Sequence, residues 1–297
     1  MAIVSGASPM HMSVQGSATL RVGVHRVLGL PVTRPIEQQV AELNSFRPDY
    51  LHAYPSAAIR LAEEQEAGRL RLSLESMSSS SERLTREMAE RLEAAFGVRP
   101  FDLYATTEGL YGAECERHAG VHLFEDVALV ENVDERGRAV PAGEPGARIL
   151  VTQLHNRVLP IIRLAVSDVM TLDPEPCPCG RRLVRAAAIA GRSDDVLSLP
   201  ARAGGAVTVV PAQFAVVSRD RGVREFQVRQ EAGGLRVLVV PCAGGDADLD
   251  LEQRIGAAVG RAMDDLGADS PVLVERRDEL ARRGGKLQIV VARTPEG

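Results

Sequence analysis

The stretch TREMAERLEAAFGVRPFDLYATTEG, residues 85–109, contains the unit from which the fold is built. Apolar side chains recur at helical spacing between Thr85 and Gly97, which predicts a helix that ends at the glycine. Residues 98–104 follow as a short strand, and a loop rich in hydroxyl groups comes directly after it. This order is typical of an α/β layer, in which ligands bind beyond the carboxyl ends of the strands.

The residues before this unit repeat the alternation. Residues 33–46 carry apolar side chains at helical spacing, residues 49–54 are extended, and a second helix begins near Pro55. We therefore expect a parallel sheet covered by helices. From about residue 121 the apolar pattern changes to a period of two, which predicts antiparallel β structure.

The C-terminal segment combines strands with one amphipathic helix. The predicted elements are strands at 225–230 and 235–241, a helix across 249–266, and strands at 272–278 and 287–293. The expected fold is an α/β large-domain portion with an antiparallel β region, followed by a small α+β C-terminal domain. A charged turn at Gly191–Asp195 predicts the boundary between domains 1–190 and 191–297.

Composition limits the partners of the protein. The chain has 297 residues, 45% hydrophobic and 25% charged, which suits a folded protein of about two domains. A net charge of −5 offers no basic surface to nucleic acid or anionic lipid. No apolar run approaches the roughly 20 residues of a membrane-spanning helix, and a signal-peptide pattern is missing. We expect a cytoplasmic protein that binds a small molecule.

The loop Tyr104-Ala-Thr-Thr-Glu108-Gly109 contains the first candidate chemistry. Backbone N–H groups and hydroxyl groups of such loops bind phosphate, and a carboxylate beside them can hold Mg²⁺. The same residues also suit an ordinary threonine-rich turn, so the loop alone does not decide between the two interpretations.

Three of the four cysteines lie near histidines. Cys177 and Cys179 are separated by one proline, and Cys115 precedes His118 and His122. Three thiolates and one imidazole are a common ligand set for a closed, tetrahedral structural Zn²⁺ site. Two buried free thiols, a redox pair and a nucleophile are the alternatives.

Further strings follow the loop in order. They are His122-Leu-Phe-Glu-Asp, LPIIRLAVSD with Asp168, CPCGR, GRSDD and a late Gly-Gly-Lys286. In this order the chain resembles the adenylate-forming enzymes over nearly its whole length, and most closely their phenylacetate-CoA ligase-like branch. The resemblance implies that an acid is joined to AMP from ATP, with release of pyrophosphate. The acyl group then passes to a thiol, usually that of coenzyme A.

The resemblance also implies roles for individual residues. Tyr104 would stack on adenine, Asp168 would bind the ribose hydroxyls, and Arg192 would reach the ribose or the phosphate. Thr107 would bind phosphate, and Glu108 would hold Mg²⁺. Taken without the resemblance, Asp168 also suits a turn cap and Arg192 a surface ion pair.

A second group of implied residues lies outside this loop. Ser80, Ser81 and Glu82 match the loop that lies along the adenine, which is normally Gly-Ala-Glu. Asp194 would be the hinge of the small domain. Lys286 would bring a positive charge to the acid oxygen and the α-phosphate, although it also suits a solvated surface lysine.

The resemblance also bears on the metal site. Relatives with CPCG pair it with a Gly-x-His string, which here ends at His122, so His122 is favoured over His118. The implied ligands of a structural Zn²⁺ are Cys115, His122, Cys177 and Cys179.

Two departures from the family pattern bear on activity. Members normally begin with a region that contains a Ser-Gly-Thr-Thr-Gly phosphate loop, which residues 5–8 do not match. Apolar edges are then expected to need cover from a second copy or from a partner that supplies such a region. The residues after GRSDD lack the usual glycine-rich turn, so the acceptor is left open among coenzyme A, a carrier-protein thiol and another group. The acid, aryl or otherwise, is not specified.

Two other functions compete with the ligase. One is a truncated or inactive AMP-binding homologue that acts as a scaffold or as half of a split enzyme. The other is a zinc-stabilised structural module, which leaves the order of the strings and the late lysine unexplained.

Overall fold

The computed structural model describes residues 1–6, 26–192, 196–242, 248–283 and 286–292. The chain divides into two compact units, of which the first combines residues 1–100 with 196–297 and the second contains residues 101–195.

The first part of the first unit is a parallel α/β layer, as predicted. Its elements are β1 (Ala2–Ser5), β2 (Leu28–Pro31), α1 (Ile36–Phe46), β3 (Tyr50–Ala53), α2 (Pro55–Glu66), β4 (Ser76–Ser80) and α3 (Arg86–Phe96). The strands lie in the order β4-β3-β1-β2, and each of the three neighbouring pairs is parallel. Leu51, Met77 and Leu92 are fully buried between sheet and helices.

Helix α3 has the two ends that the sequence predicts. The Thr85 hydroxyl accepts a hydrogen bond from the N–H of Met88 at 3.2 Å, which caps the first turn. Gly97 adopts a left-handed conformation, with φ of 76°, and donates its N–H to the carbonyl of Glu93. The helix therefore ends at the glycine, as the sequence predicts.

The C-terminal part of the first unit is α+β, also as predicted. Its elements are β13 (Leu197–Pro200), β14 (Ala206–Val209), a 3₁₀ turn (Pro211–Phe214), α4 (Ala215–Ser218), β15 (Val223–Glu231), β16 (Gly234–Pro241), α5 (Leu251–Asp265), β17 (Val272–Arg276), β18 (Arg282–Arg283), β19 (Lys286–Leu287) and β20 (Val290–Val291). Four strands form a sheet in the order β17-β16-β15-β20, and the apolar face of α5 is buried with them.

The strand expected at 287–293 is divided between two partners. Lys286–Leu287 pairs with Arg282–Arg283 in a short hairpin, whereas Val290–Val291 runs parallel to β15. The two pieces do not form one continuous strand, because they pair with different neighbours.

The second unit is antiparallel, as the period of two predicts. Its elements are β5 (Phe101–Ala105), β6 (Tyr111–Glu114), β7 (Val121–Leu123), β8 (Ala128–Val133), β9 (Arg148–Gln153), β10 (Leu164–Val166), β11 (Asp168–Leu172) and β12 (Arg185–Arg192). Five strands lie in the order β5-β6-β7-β12-β11, and β10-β9-β8 form a smaller sheet. Leu110, Leu123, Ile149 and Met170 fill the core between them.

Several large apolar side chains of the second unit face solvent. They are Leu129, Leu154, Val158, Leu159, Ile162 and Leu164. Within the described part of the chain, the helices are all too short or too polar to cross a membrane.

Candidate functional site

The polar loop after β5 is a tight turn. Its first residue, Thr106, exchanges backbone hydrogen bonds with Leu110 and Gly109 at 2.9 and 3.1 Å, and the Thr106 hydroxyl accepts from the N–H of Leu110. These bonds keep Thr106 buried and leave Thr107 exposed at the tip, with Glu108 half-buried beside it. The loop thus presents a hydroxyl group and a carboxylate in sequence.

Gly109 is required by the turn. Its φ is 87°, and a Cβ atom there would lie 2.0 Å from the side-chain nitrogen of Gln153. That amide donates a hydrogen bond to the carbonyl of Glu108. Gln153 therefore fixes the backbone of the loop, and it is a residue that the sequence pattern does not identify, because the contact spans 45 positions.

Three of the predicted nucleotide residues converge next to this loop. The Tyr104 hydroxyl donates a hydrogen bond to the Asp168 carboxylate at 3.0 Å. Asp168 and Arg192 are direct partners across the β11–β12 pair, and the Arg192 guanidinium donates to the Ser167 hydroxyl at 2.9 Å. An aromatic ring, a carboxylate and a guanidinium thus occupy one end of this sheet.

The electrostatics keep the Tyr104 phenol protonated. Burial is the main cause that raises its pKa, and the negative charges of Asp168 and Glu108 raise it further, while Arg192 acts in the opposite sense. A protonated phenol donates to Asp168. A carboxylate has about four acceptor positions, and the phenol occupies one of those of Asp168.

The cysteine cluster lies in the same unit. The ligand atoms of Cys115, His122, Cys177 and Cys179 all lie within 4.8 Å of one another. Two Sγ atoms, of Cys115 and Cys177, are 3.4 Å apart, and the Cys179 Sγ is 3.3 Å from the Nε2 of His122. Zinc bonds of about 2.0–2.3 Å in tetrahedral geometry need separations of this size, so the four donors fit a single Zn²⁺.

The local structure shifts two of the proposed ligands in opposite directions, since burial is the main cause that raises the pKa of Cys177 while the pKa of Cys179 is lowered. A backbone N–H from Arg181 is the main cause that lowers the pKa of Cys179 to about 6, and a hydrogen bond with His122 contributes. Thiolates are the form that binds metal. Gly120 permits the approach of β12, since a Cβ atom there would lie 2.5 Å from the carbonyl of Ala186.

His118 lies outside the cluster. Its Nδ1 is hydrogen-bonded to Glu114 at 3.0 Å, and its ring stacks on Phe101 at 5.1 Å. The structure brings His122, and not His118, to the three sulfur atoms. Position on the strand explains this choice, because His122 is on β7, paired with β12, whereas His118 is in the preceding turn.

The remaining predicted residues are in the first unit or undescribed. Ser80 is buried, and Ser81 is exposed with a φ of 70°. The Glu82 carboxylate is buried among protein donors, and Lys286 is half-buried in the β18–β19 hairpin. Asp194 lies outside the described residues. Lys286 is also the only lysine in the sequence, since the other basic side chains are arginines and histidines.

The chain is similar in sequence to known phenylacetate-coenzyme A ligases. No family model matches the chain. A phenylacetate-coenzyme A ligase of Thermus thermophilus is 29% identical over 282 residues, which cover 86% of this chain and 62% of the relative. The ligase of the same name from Escherichia coli is 31% identical over 187 residues, 60% of this chain and 41% of the relative. The chain thus spans about three fifths or less of these relatives.

Solved structures support the fold. A 2-hydroxyisobutyryl-CoA ligase in the postadenylation state matches 99% of this chain and 66% of its own, with a TM-score of 0.77 and 23% identity. A benzoate CoA ligase from Burkholderia xenovorans LB400 matches 97% of this chain and 60% of its own, with a TM-score of 0.66 and 20% identity. In sequence the chain is similar to phenylacetate-coenzyme A ligases, and in fold it is similar to the solved CoA ligases.

Proposed function

We propose that this chain takes part in the ATP-dependent activation of a carboxylic acid as acyl-AMP and in transfer of the acyl group to a thiol, usually that of coenzyme A. The observation that carries the proposal is the convergence of Tyr104, Asp168 and Arg192 beside a hydroxyl-rich strand-end loop. The named relatives are CoA ligases, which supports the same reaction class.

The proposed nucleotide roles follow from the chemistry of each group. The Tyr104 ring offers a flat surface for adenine, and Asp168 offers acceptor oxygens for the ribose hydroxyls. The positive charge of Arg192, opposite Asp168, suits the ribose edge or the phosphate. Thr107, exposed at the tip of the loop, would bind phosphate through its hydroxyl group.

Mg²⁺ is the proposed metal of catalysis. It prefers carboxylate oxygen and substrate phosphate as ligands, and it neutralises phosphate charge when bound. The half-buried Glu108 carboxylate beside the Thr107 hydroxyl fits such a cation. Gln153 donates a hydrogen bond to the backbone carbonyl of Glu108, which holds the backbone from which this carboxylate extends.

For Lys286 we propose stabilisation of the charge that develops on the acid oxygen and α-phosphate during adenylation. For Asp194 we propose the hinge about which the small domain turns. The acceptor, coenzyme A or a carrier-protein thiol, and the acid, aryl or other, belong to the same proposal.

The four-ligand cluster supports a structural Zn²⁺. Four protein donors leave no open position for substrate, so such an ion stabilises the fold around β6, β7 and the Cys177–Cys179 turn. It has no proposed part in the chemical step.

The exposed apolar residues of the second unit support a covering partner. Val158 is 96% exposed and Ile162 75% exposed, which is unusual for large apolar side chains in one loop. We propose that a phosphate-loop region or a second copy of the chain covers them, in a cytoplasmic setting.

The test is acid-dependent exchange of labelled pyrophosphate into ATP, with a panel of aryl and aliphatic acids. It is run on this chain alone and with the N-terminal region of the Thermus thermophilus relative supplied. We expect exchange with at least one acid when that region is present. Nucleotide binding without exchange for any acid would favour a nucleotide-binding scaffold instead.

A further inference from the structure

The Glu82 carboxylate is the centre of a buried polar cluster in the first unit. Its side chain is only 3% exposed. It accepts hydrogen bonds from the backbone N–H and the hydroxyl of Ser56, at 2.9 and 3.0 Å, and from the backbone N–H of Leu287 at 2.8 Å. Ser56 lies in the first turn of α2, where the helix dipole favours a negative charge.

Arg282 completes the cluster. Its guanidinium donates to the Ser56 hydroxyl and to the buried Glu225 carboxylate, each at 2.8 Å, and lies 3.6 Å from Glu82. The pKa of the Glu82 carboxyl is raised, with burial as the largest cause, although the hydrogen bonds from Leu287 and Ser56 and the charge of Arg282 oppose the rise. Each of these donors favours the charged form of the carboxylate, whereas burial of the carboxylate disfavours that form.

The cluster holds both arms of one hairpin. Arg282 and Leu287 are direct partners across the β18–β19 pair. Arg282 is bound through Ser56 and Glu225, and Leu287 is bound by Glu82. The residue next to Leu287 is Lys286. A hairpin fixed at two opposite residues leaves the backbone of Lys286 little freedom.

We propose that Glu82 is a positioning residue for Lys286: its carboxylate holds the Leu287 amide and so sets where the lysine charge lies during adenylation. This inference rests on the proposed function of Lys286. Glu82 belongs to the string that matches the adenine loop. The proposal assigns its side chain a different role, which is to hold the Leu287 amide. A preorganised charge stabilises a transition state only when its support is rigid.

The sequence supplies a specific probe of this contact. Lys286 is the only lysine, so a lysine-specific protease has one cleavage site, the Lys286–Leu287 bond. The N–H of that bond is the group that Glu82 holds. When opening is fast relative to cleavage, the cleavage rate follows the population of the open hairpin.

We expect Glu82→Gln to raise the rate of this cleavage about tenfold, since a charged hydrogen bond of about 1.4 kcal/mol is lost at Leu287. The matched control is Glu87→Gln, which removes an ion pair with Arg219 that also joins the early and late parts of this unit, at 3.2 Å. That pair is exposed and distant from the hairpin in sequence, so the control should cleave at the parent rate. Ser56→Ala, which removes one hydroxyl donor to Glu82 and adds no lysine, serves as a milder variant if Glu82→Gln fails to fold.

An equal cleavage rate in Glu82→Gln and the parent would overturn the inference. So would an equal rise in the control Glu87→Gln, because cleavage would then report a general loosening of the fold.

The activity readout is made with the N-terminal region of the Thermus thermophilus relative supplied. Glu82→Gln should lower kcat of pyrophosphate exchange about tenfold and leave thiol transfer from preformed acyl-AMP within about twofold. Equal losses in both half-reactions would contradict positioning. If Lys286→Ala leaves pyrophosphate exchange intact, the proposed role of the lysine fails, while the cleavage result still decides whether Glu82 holds the hairpin.

Discussion

At the scale of single residues, Lys286 is the position where the type of cation, and not only its charge, distinguishes one basic residue from the others. Of 35 lysine and arginine residues it alone is lysine. Arginine is planar, delocalised and weakly hydrated, whereas lysine is a compact point charge on a flexible stem. A position that needed only a cation would suit arginine, as elsewhere in this chain.

Lys286→Ala should therefore reduce acid-dependent pyrophosphate exchange about 100-fold or more, and Lys286→Arg should restore little of it, because the planar group is larger. Transfer of the acyl group from preformed acyl-AMP to a thiol should survive in both variants. Each half-reaction is measured separately on the chain supplied with the N-terminal region of its Thermus thermophilus relative. Equal damage to both would indicate a structural residue.

The zinc ligands give a second prediction at this scale. We expect about one Zn²⁺ per chain by elemental analysis of protein purified without added metal. Cys177→Ser should lose the ion and lower Tm by roughly 5 °C or more, because metal binding contributes to folding free energy. Cys242→Ser and His118→Ala are the controls, since neither belongs to the four-ligand cluster. A metal-free parent with an unchanged Tm in chelator would rule out the site.

At the scale of elements, strands β3 and β4 share a polar face. The Tyr50 hydroxyl is hydrogen-bonded to Ser78, the Nδ1 of His52 lies 2.8 Å from the same Ser78 hydroxyl, and the Nε2 of His52 lies 3.1 Å from that of Ser80. The other face carries fully buried Leu51. Burial lowers the pKa of His52 to about 4, so the imidazole is neutral at pH 7.

This shift predicts how stability depends on pH. In the unfolded chain His52 titrates near 6.5, so between pH 6.5 and 4 the unfolded state binds more protons than the folded state. Stability should be full above pH 6.5 and fall as the pH drops toward 4, by up to about 3 kcal/mol from this residue.

Urea unfolding of the parent and of His52→Gln between pH 7 and 4 measures the effect. The variant should lose part of the pH dependence, because glutamine does not titrate. His155→Gln is the control, since His155 is exposed. Among the contacts described, its Nε2 forms one hydrogen bond, with the carbonyl of Asp126. Parallel curves for His52→Gln and the parent would show that another group causes the loss.

The same elements show what sequence could predict. Helix α3 follows from local signals, namely apolar spacing, a threonine cap and a terminal glycine. Strand β12 (RAAAIAGR) is not evident from its alanine-rich pattern, which lacks a clear period of two. The contacts of Gln153 and Glu82 are also beyond sequence reasoning, because each joins positions far apart in the chain.

At the scale of the whole molecule, the order of motifs was more informative than any one of them. The parallel layer, the antiparallel unit and the C-terminal α+β segment all correspond to the predicted fold class. The compact units are formed by residues 1–100 with 196–297 and by residues 101–195. The boundary expected between domains 1–190 and 191–297 stays a prediction, because it concerns order along the chain and the compact units describe which segments pack together.

We propose that the second unit contains a nucleotide site built on Tyr104, Asp168 and Arg192. The most direct measurement is calorimetric titration of this chain with AMP, beside Asp168→Asn and the exposed control Asp126→Asn. We predict one AMP per chain and a loss of affinity of about tenfold or more for Asp168→Asn only, since charge-assisted hydrogen bonds to the ribose are lost. No AMP binding by the parent at millimolar concentration, or equal affinity in Asp168→Asn, would contradict the proposed nucleotide site.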